Sequence, residues 1–217
     1  MTLIVAMVGT DGIVAAADRK HLAVSEHSTS SSEGTKGFVG KSGRVLSLAA
    51  EQDIALAVAR EIAKQLDGAV LTQDERVAAL DRIGNEKAKL FEGEAIHGYF
   101  HGTALTIFAD DTKQIYRTQI RRDGAITMPY NGKQVAGSTA NPALFFMEKL
   151  YSQRPVKDLT LLAAHTVLTA HQFDERSIEG LDLWLCRESG IEQVATESLV
   201  ARSEQINGAI SALVFES

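Results

Sequence analysis

Two short apolar runs near the start of the chain, Leu3 to Val8 and Ile13 to Ala17, are separated only by Gly9-Thr10-Asp11-Gly12. A turn this short, with glycine at both ends, joins neighbouring antiparallel strands, and two apolar runs so joined read as a buried hairpin. The hairpin also fixes a pairing. Residues equally far from the turn lie opposite each other, so Thr2 and Asp18 come to the same end of two adjacent strands. A hydroxyl and a carboxyl are brought to one place by the backbone alone.

The rest of the composition narrows the class. A chain of 217 residues can bury a substantial core, and three prolines with no polar tract leave little room for a linker, so one domain spanning residues 1–217 is expected. The formal net charge is −6, and basic residues are nowhere denser than Arg121-Arg122, which argues against nucleic acid or an anionic membrane as partner. The single cysteine, Cys186, lies in the apolar run Leu183-Trp184-Leu185-Cys186 and reads as a buried strand residue. The run from Leu3 to Val8 is too short for a signal peptide and lacks a basic segment before it, and no other segment approaches a membrane span. The compartment these features imply is the cytoplasm.

Further along, Gly37 to Gly40 and Arg44 to Ala49 read as strands around a Lys41-Ser42-Gly43 turn, after a polar stretch from Ser25 to Thr35. From Glu51 the period lengthens. Ile54, Val58, Ile62 and Leu66 recur at helical spacing, Gly68 supplies a stop, and a second helix is expected from Gln73 to Phe91. Strands are expected again at Thr103 to Ala109, Gln114 to Thr118, Ala125 to Met128 and Lys133 to Ala136. Asn141-Pro142 reads as a cap and first turn of a helix reaching Tyr151, and Leu159 to Phe173 marks another. Strands at Leu181 to Arg187, Ile191 to Ala195 and Ala209 to Phe215 complete the order. Strands and helices in separate blocks, with no βαβ alternation, predict an α+β fold, a four-layer αββα sandwich with two antiparallel sheets inside and helix pairs outside.

No GxxxxGK[ST], no GxGxxG after a strand and no HExxH is present, so phosphate-cradling and zincin chemistry lose their support. His97 and His101 have a spacing that would suit a metal on a helix, but Gly98-Tyr99-Phe100 between them favours a loop or strand. No metal and no cofactor is expected.

Several fragments together carry a resemblance. Thr2-Leu3-Ile4-Val5-Ala6, then Asp11-Gly12-Ile13-Val14-Ala15-Ala16-Ala17-Asp18-Arg19, and the order of elements make the chain similar to a proteasome β subunit and its bacterial and archaeal relatives, within the N-terminal-nucleophile hydrolases. In that family an aspartate sixteen residues after the nucleophilic threonine ends the second strand, as Asp18 follows Thr2 here. The family's lysine opens the third strand, fourteen residues before the oxyanion amide. Lys36 stands before Gly37-Phe38-Val39, and fourteen residues on is Ala50, where the family usually has glycine. Lys41 competes for the lysine role, because the segment before Lys36 is longer than usual, but it falls in the turn. A Gly-Ser pair ahead of a helix corresponds to Gly137-Ser138, and an Asp-x-x-Ser to Asp174-Glu175-Arg176-Ser177.

The resemblance implies a set of roles. Once Met1 is removed, Thr2 attacks a carbonyl with its own amine as base, and a free α-amine has a reference pKa of about 7.7–8.0. Lys36 as ammonium lowers the pKa of hydroxyl and amine, Asp18 holds the lysine, and Ser138, Asp174 and Ser177 orient the amine. The Ala50 amide stabilises the oxyanion. Without the family, each has a plainer reading: an inert start residue, a solvated lysine, turn and capping residues. The activity implied is a threonine-type peptidase working through an acyl-enzyme, with no propeptide. It would act on peptides or unfolded proteins inside a self-compartmentalising homo-oligomeric ring, fed by an unfolding ATPase. A ligase using the same acyl-enzyme and an inactive ring scaffold are the alternatives.

Overall fold

The structure is a computed structural model that describes residues 2–24, 29–50, 53–91, 101–174 and 178–215. The opening hairpin forms as its pattern requires. Strands β1 (Leu3–Val8) and β2 (Ile13–Ala17) are buried at every position and pair antiparallel, Ile4 opposite Ala17 and Val8 opposite Ile13. Gly9 donates to Gly12 O at 2.8 Å to close the turn.

Two further strands follow that were not expected, the second inside the stretch read as polar. Lys20–Val24 (β3) and Thr29–Glu33 (β4) form a two-stranded antiparallel ribbon. Thr29–Glu33 reads Thr-Ser-Ser-Ser-Glu, so no apolar alternation announces it, and its place is set by backbone pairing with β3. The chain continues through β5 (Gly37–Val39), β6 (Val45–Ala50), α1 (Asp53–Gln65), α2 (Gln73–Phe91), β7 (His101–Phe108), β8 (Ile115–Arg121), β9 (Gly124–Tyr130) and β10 (Lys133–Gly137). It ends with α3 (Leu144–Leu150), α4 (Val156–Phe173), β11 (Asp182–Arg187), β12 (Gly190–Gln193) and α5 (Glu197–Phe215).

One sheet has the order β10-β1-β2-β11-β12 and another β5-β6-β7-β8-β9, and every pairing in both is antiparallel. Three clusters of buried apolar side chains hold these elements. Ile4, Ala6 and Val8 of β1 meet Leu46 and Leu48 of β6 and Leu105 of β7 between the sheets. Leu3, Val5 and Met7, on the opposite face of β1, pack on Leu159, Ala163 and Val167 of α4. Val58, Ile62, Leu80 and Ile83 of α1 and α2 pack on Ala104 and Tyr116 of the second sheet. The alternation along β1 thus divides it between two cores. The alanines of β2 let its neighbours approach closely.

The expected four-layer αββα sandwich is corrected to three antiparallel sheets with five helices among the described residues. Two segments account for the difference. The β3–β4 ribbon stands as a third sheet. The strand expected at Ala209 to Phe215 is the last part of α5, which packs on α4. Among its described side chains α5 buries Leu199 and Ser203, one turn apart, and His165 Nδ1 of α4 is 2.8 Å from Ser203 Oγ. A short apolar run has no period of its own to separate helix from strand, and here the helix begun at Glu197 carries through it. The helix expected from Asn141 also starts later. Asn141 Oδ1 accepts from Ala143 N at 2.9 Å, forming a turn ahead of α3.

Candidate active site

The open end of the first hairpin brings together Asp18, Lys36 and the residue after Thr2. Asp18, just beyond β2, donates its N–H to Leu3 O at 3.1 Å, and its Oδ1 accepts from Leu3 N at 2.7 Å. Its Oδ2 accepts from Lys36 Nζ at 2.6 Å and from Lys20 N at 3.2 Å. One carboxylate thus ties the residue after Thr2, the start of β3 and the lysine before β5. The Asp18 side chain is 0% exposed and that of Lys36 2%.

Burial of this kind is electrostatically expensive. Desolvation raises the Asp18 carboxyl above its ordinary value, against the opposing pull of the Lys36 charge and hydrogen bonds. It lowers the Lys36 ammonium below its ordinary value, against the pull of Asp18. Both shifts disfavour the charged forms, and the ion pair together with the amides of Leu3 and Lys20 opposes them. A buried pair is weak evidence of stabilisation, because apolar replacements of the same volume often hold a fold as well. A titratable pair desolvated in this way is better explained by chemistry.

Thr2 is 7% exposed. Its carbonyl accepts from Ser138 N at 2.7 Å, which seats the loop after β10 against the start of β1. Gly137 makes the approach possible, with φ +90 and a position where an added Cβ would lie 1.8 Å from Thr2 O. Alternation continues the β1 face that carries Ile4, Ala6 and Val8 back to Thr2, placing it toward the space between the sheets. Lys36 is held from the other sheet. Its carbonyl accepts from Ala49 N at 2.9 Å, so the amide of Ala50, the last residue of β6, is the next one along that strand. Gly37 lies against Trp184 so closely that an added Cβ would sit 2.5 Å from the ring. Lys41 is in the turn beyond β5, exposed and remote along the strand from Asp18, so Lys36 is the lysine the fold pairs with it.

The second half of the chain reaches the site through two loops. Asn141 Nδ2 donates to Ala170 O at 3.2 Å, joining the Ser138 loop to the end of α4. Asp174 follows α4, and its Oδ2 is buried with no hydrogen-bond partner among the described residues. Ile178 N donates to Asp174 O at 3.0 Å, and Arg19 N donates to Glu179 O at 2.7 Å, so this loop abuts the residue after Asp18. Ser177 lies outside the described residues, as does His97, while His101 heads β7.

One acid was not singled out from the sequence. Asp182 opens β11 opposite Ala17, is 7% exposed, and carries an Oδ2 with no hydrogen-bond partner among the described residues. Its other oxygen accepts from Gln193 Nε2 at 3.3 Å and lies 3.8 Å from Arg19 Nε. The sequence signal was an acid at the head of an apolar strand, one residue after Leu181. The groups assembled here can hold a proton near a hydroxyl, keep it from bulk water and orient the backbone that carries the hydroxyl. Among the described residues no helix is long and apolar enough to cross a membrane.

No family model matches the chain, and no curated protein matches it. Solved structures do. The chain is similar to Anbu (ancestral beta-subunit) from Yersinia bercovieri, with 12% identity, TM-score 0.72 and coverage of 98% of this chain and 96% of that one. It is similar to a helical assembly of the Anbu complex from Pseudomonas aeruginosa, with 13% identity, TM-score 0.73 and coverage of 99% and 96%. It is also similar to an Anbu (Gly-1) mutant from Hyphomicrobium sp. strain MC1, with 15% identity, TM-score 0.68 and coverage of 97% of each chain. These findings correct the resemblance drawn from the motifs, because the structural neighbours named here are Anbu (ancestral beta-subunit) proteins. At such identities the likeness establishes a shared fold: the chain folds like the Anbu proteins over almost its whole length.

Proposed function

We propose that the chain is an N-terminal threonine hydrolase that cleaves peptide bonds through an acyl-enzyme on Thr2 after removal of Met1. The observation that carries this reading is the Asp18 carboxylate, buried and shared between the amide of Leu3 and the ammonium of Lys36. It places a desolvated cation one residue from a hydroxyl that would share its residue with a free amine.

In this reading Thr2 Oγ1 attacks the scissile carbonyl and its proton passes to the Thr2 amine, directly or through water. The Lys36 charge favours the deprotonated forms of both groups, and Asp18 fixes the lysine. A backbone amide aimed at the developing oxyanion is commonly worth about 2.7–4 kcal/mol; the alternation that turns Ala49 N to Lys36 O turns the Ala50 amide toward Thr103 of β7, so that donor is not assigned to Ala50. As the tetrahedral intermediate collapses, the leaving amine takes the proton from the Thr2 ammonium and departs, leaving a Thr2 ester. Water then attacks the ester carbonyl, losing its proton to the same amine, and releases the acid with Thr2 restored. Ser138 and Asp174 hold the amine, Asp174 through its unpartnered Oδ2. The chain works as a homo-oligomer, a reading supported by its fold likeness to a helical assembly of the Anbu complex.

The test is covalent capture of Thr2. Intact mass gives the N-terminus, and protein lacking Met1 is then treated with a β-lactone or epoxyketone. A single adduct mapped to Thr2, absent in Thr2→Ala, is the expected result. No adduct on protein that lacks Met1 would sink the proposal and favour an inactive scaffold.

A further inference from the structure

The far end of β5 carries a second charged region. Beyond Lys36 the strand runs through Phe38 and Val39 to the turn at Lys41, and a pocket of about 490 Å³ lies between this end and α1. Its walls are Phe38, Val39, Lys41, Arg60, Lys64 and Asp67. Arg60 and Lys64 sit one helical turn apart on α1, and the Arg60 guanidinium lies over the Phe38 ring at 5.0 Å.

Charge here is unbalanced. Among the described residues neither Lys41, Arg60 nor Lys64 forms an ion pair with a carboxylate. The one acid in the wall, Asp67, accepts from Ser42 N and, at 3.1 Å, from Arg44 N, so its oxygens hold the β5–β6 turn. Gly40 lets it approach, since an added Cβ there would lie 2.2 Å from the Asp67 carboxyl carbon. Three unpaired cations beside one engaged carboxylate form a positive pocket on a chain of net charge −6. Beyond the Arg60 stack on Phe38 and the field of Lys64 on Glu61, these cations gather like charge around an open pocket, which suits an anionic ligand.

The strand says what kind. β5 is the outer strand of its sheet. Lys36 O and Gly40 N bond to β6, so by the two-residue alternation the backbone polar groups of Gly37 and Val39 face away from it; those of Gly37 are held by Thr35 Oγ1 at 3.2 Å, which leaves the amide and carbonyl of Val39 as the open pair. The Val39 side chain is 41% exposed. A small anion would use the cations alone. An extended segment would also use the strand edge, the Val39 side chain and the Phe38 wall.

We propose that the Val39 end of β5, with Lys41, Arg60 and Lys64, binds an extended acidic peptide segment of a partner protein whose backbone pairs with Val39. The backbone supplies the pairing, the exposed valine and the phenylalanine take apolar side chains, and the cations select glutamate and aspartate over lysine and arginine.

The experiment uses the full chain and a fluorescein-labelled synthetic decapeptide of alternating leucine and glutamate, read by anisotropy. Saturable binding is expected that weakens as salt is raised, weakens by about tenfold or more in Lys41→Glu/Lys64→Glu, and slows hydrogen exchange at the Val39 amide. A leucine–lysine peptide should not bind. Both substitutions are exposed, and an unchanged melting curve verifies the fold. Equal binding of the lysine peptide, no loss in the double variant, or no binding at all overturns the proposal. Full displacement by millimolar inorganic phosphate would make this a small-anion site instead. A change in assembly size by light scattering, without peptide binding, would make the face a contact between copies.

Discussion

The two ends of β5 carry lysines with opposite circumstances. Lys36 is 2% exposed and bonded to Asp18 at 2.6 Å, whereas Lys41 is exposed and has no carboxylate partner among the described residues. The residues between them span one short strand, so the contrast comes from what each end meets. The Lys36 end lies against the first hairpin, and the Lys41 end turns out past α1. Removed from water, a lysine gains a shifted proton affinity and a strong dependence on its partner. Left in water, it contributes by attracting ligands at the surface.

The largest effect expected from breaking this contrast is at the nucleophile. Thr2→Ala should abolish both the covalent adduct and peptide hydrolysis while leaving the melting temperature near that of the parent, measured by intact mass and thermal denaturation. Residual hydrolysis at the parental rate would place the chemistry elsewhere.

Next is Lys36→Met, which keeps the stem and removes the ammonium. Hydrolysis should fall by about 10²–10⁴-fold. Stability should fall by about 3–5 kcal/mol at neutral pH, because Asp18 is left as a buried unpaired charge. The sign with pH follows from the direction of the Asp18 shift. Its carboxyl is already raised by burial, and losing the cation raises it further, so its contribution is present below the ordinary carboxylate value and lost as pH rises through the folded value. Urea melts should therefore show Lys36→Met closest to the parent at low pH and furthest from it at neutral pH. Adding Asp18→Asn should flatten that dependence.

Gly37→Ala probes the strand between the two lysines. The new Cβ would meet the Trp184 ring at 2.5 Å, and such overpacking typically costs about 1–3 kcal/mol. Because Lys36 is the preceding residue, turnover should fall along with stability, whereas Lys41→Ala should change neither. Smallest of all is Lys41→Glu/Lys64→Glu, expected to shift stability by no more than about 0.5 kcal/mol. Its effect should appear in acidic-peptide binding alone.

How much of this was legible in the sequence depends on the range of the interaction. The opening hairpin was, because its two runs and four-residue turn leave one register, and the pairing of Ile4 with Ala17 follows it. The resemblance implied Asp18 and Lys36 as partners, with Lys41 set aside for its place in a turn, and the ion pair is seen at Lys36. The β4 strand was not legible, since Thr29–Glu33 has no apolar face and is defined by a partner strand. Nor was the end of α5, where an apolar run fits either period until the helix begun at Glu197 decides it. Asp182 looked like one of many acids until β11 set it beside Ala17.

The sequence by itself determined that Thr2 and Asp18 share one end of a buried hairpin, because local turn chemistry and an unbroken apolar pattern suffice for that. Only the tertiary structure decided that one lysine of β5 is buried and the other left in water. Sequence distance carries no information about which sheet, helix or loop will cover a side chain. Burial, which sets the energy of a charge, is a property of those distant neighbours.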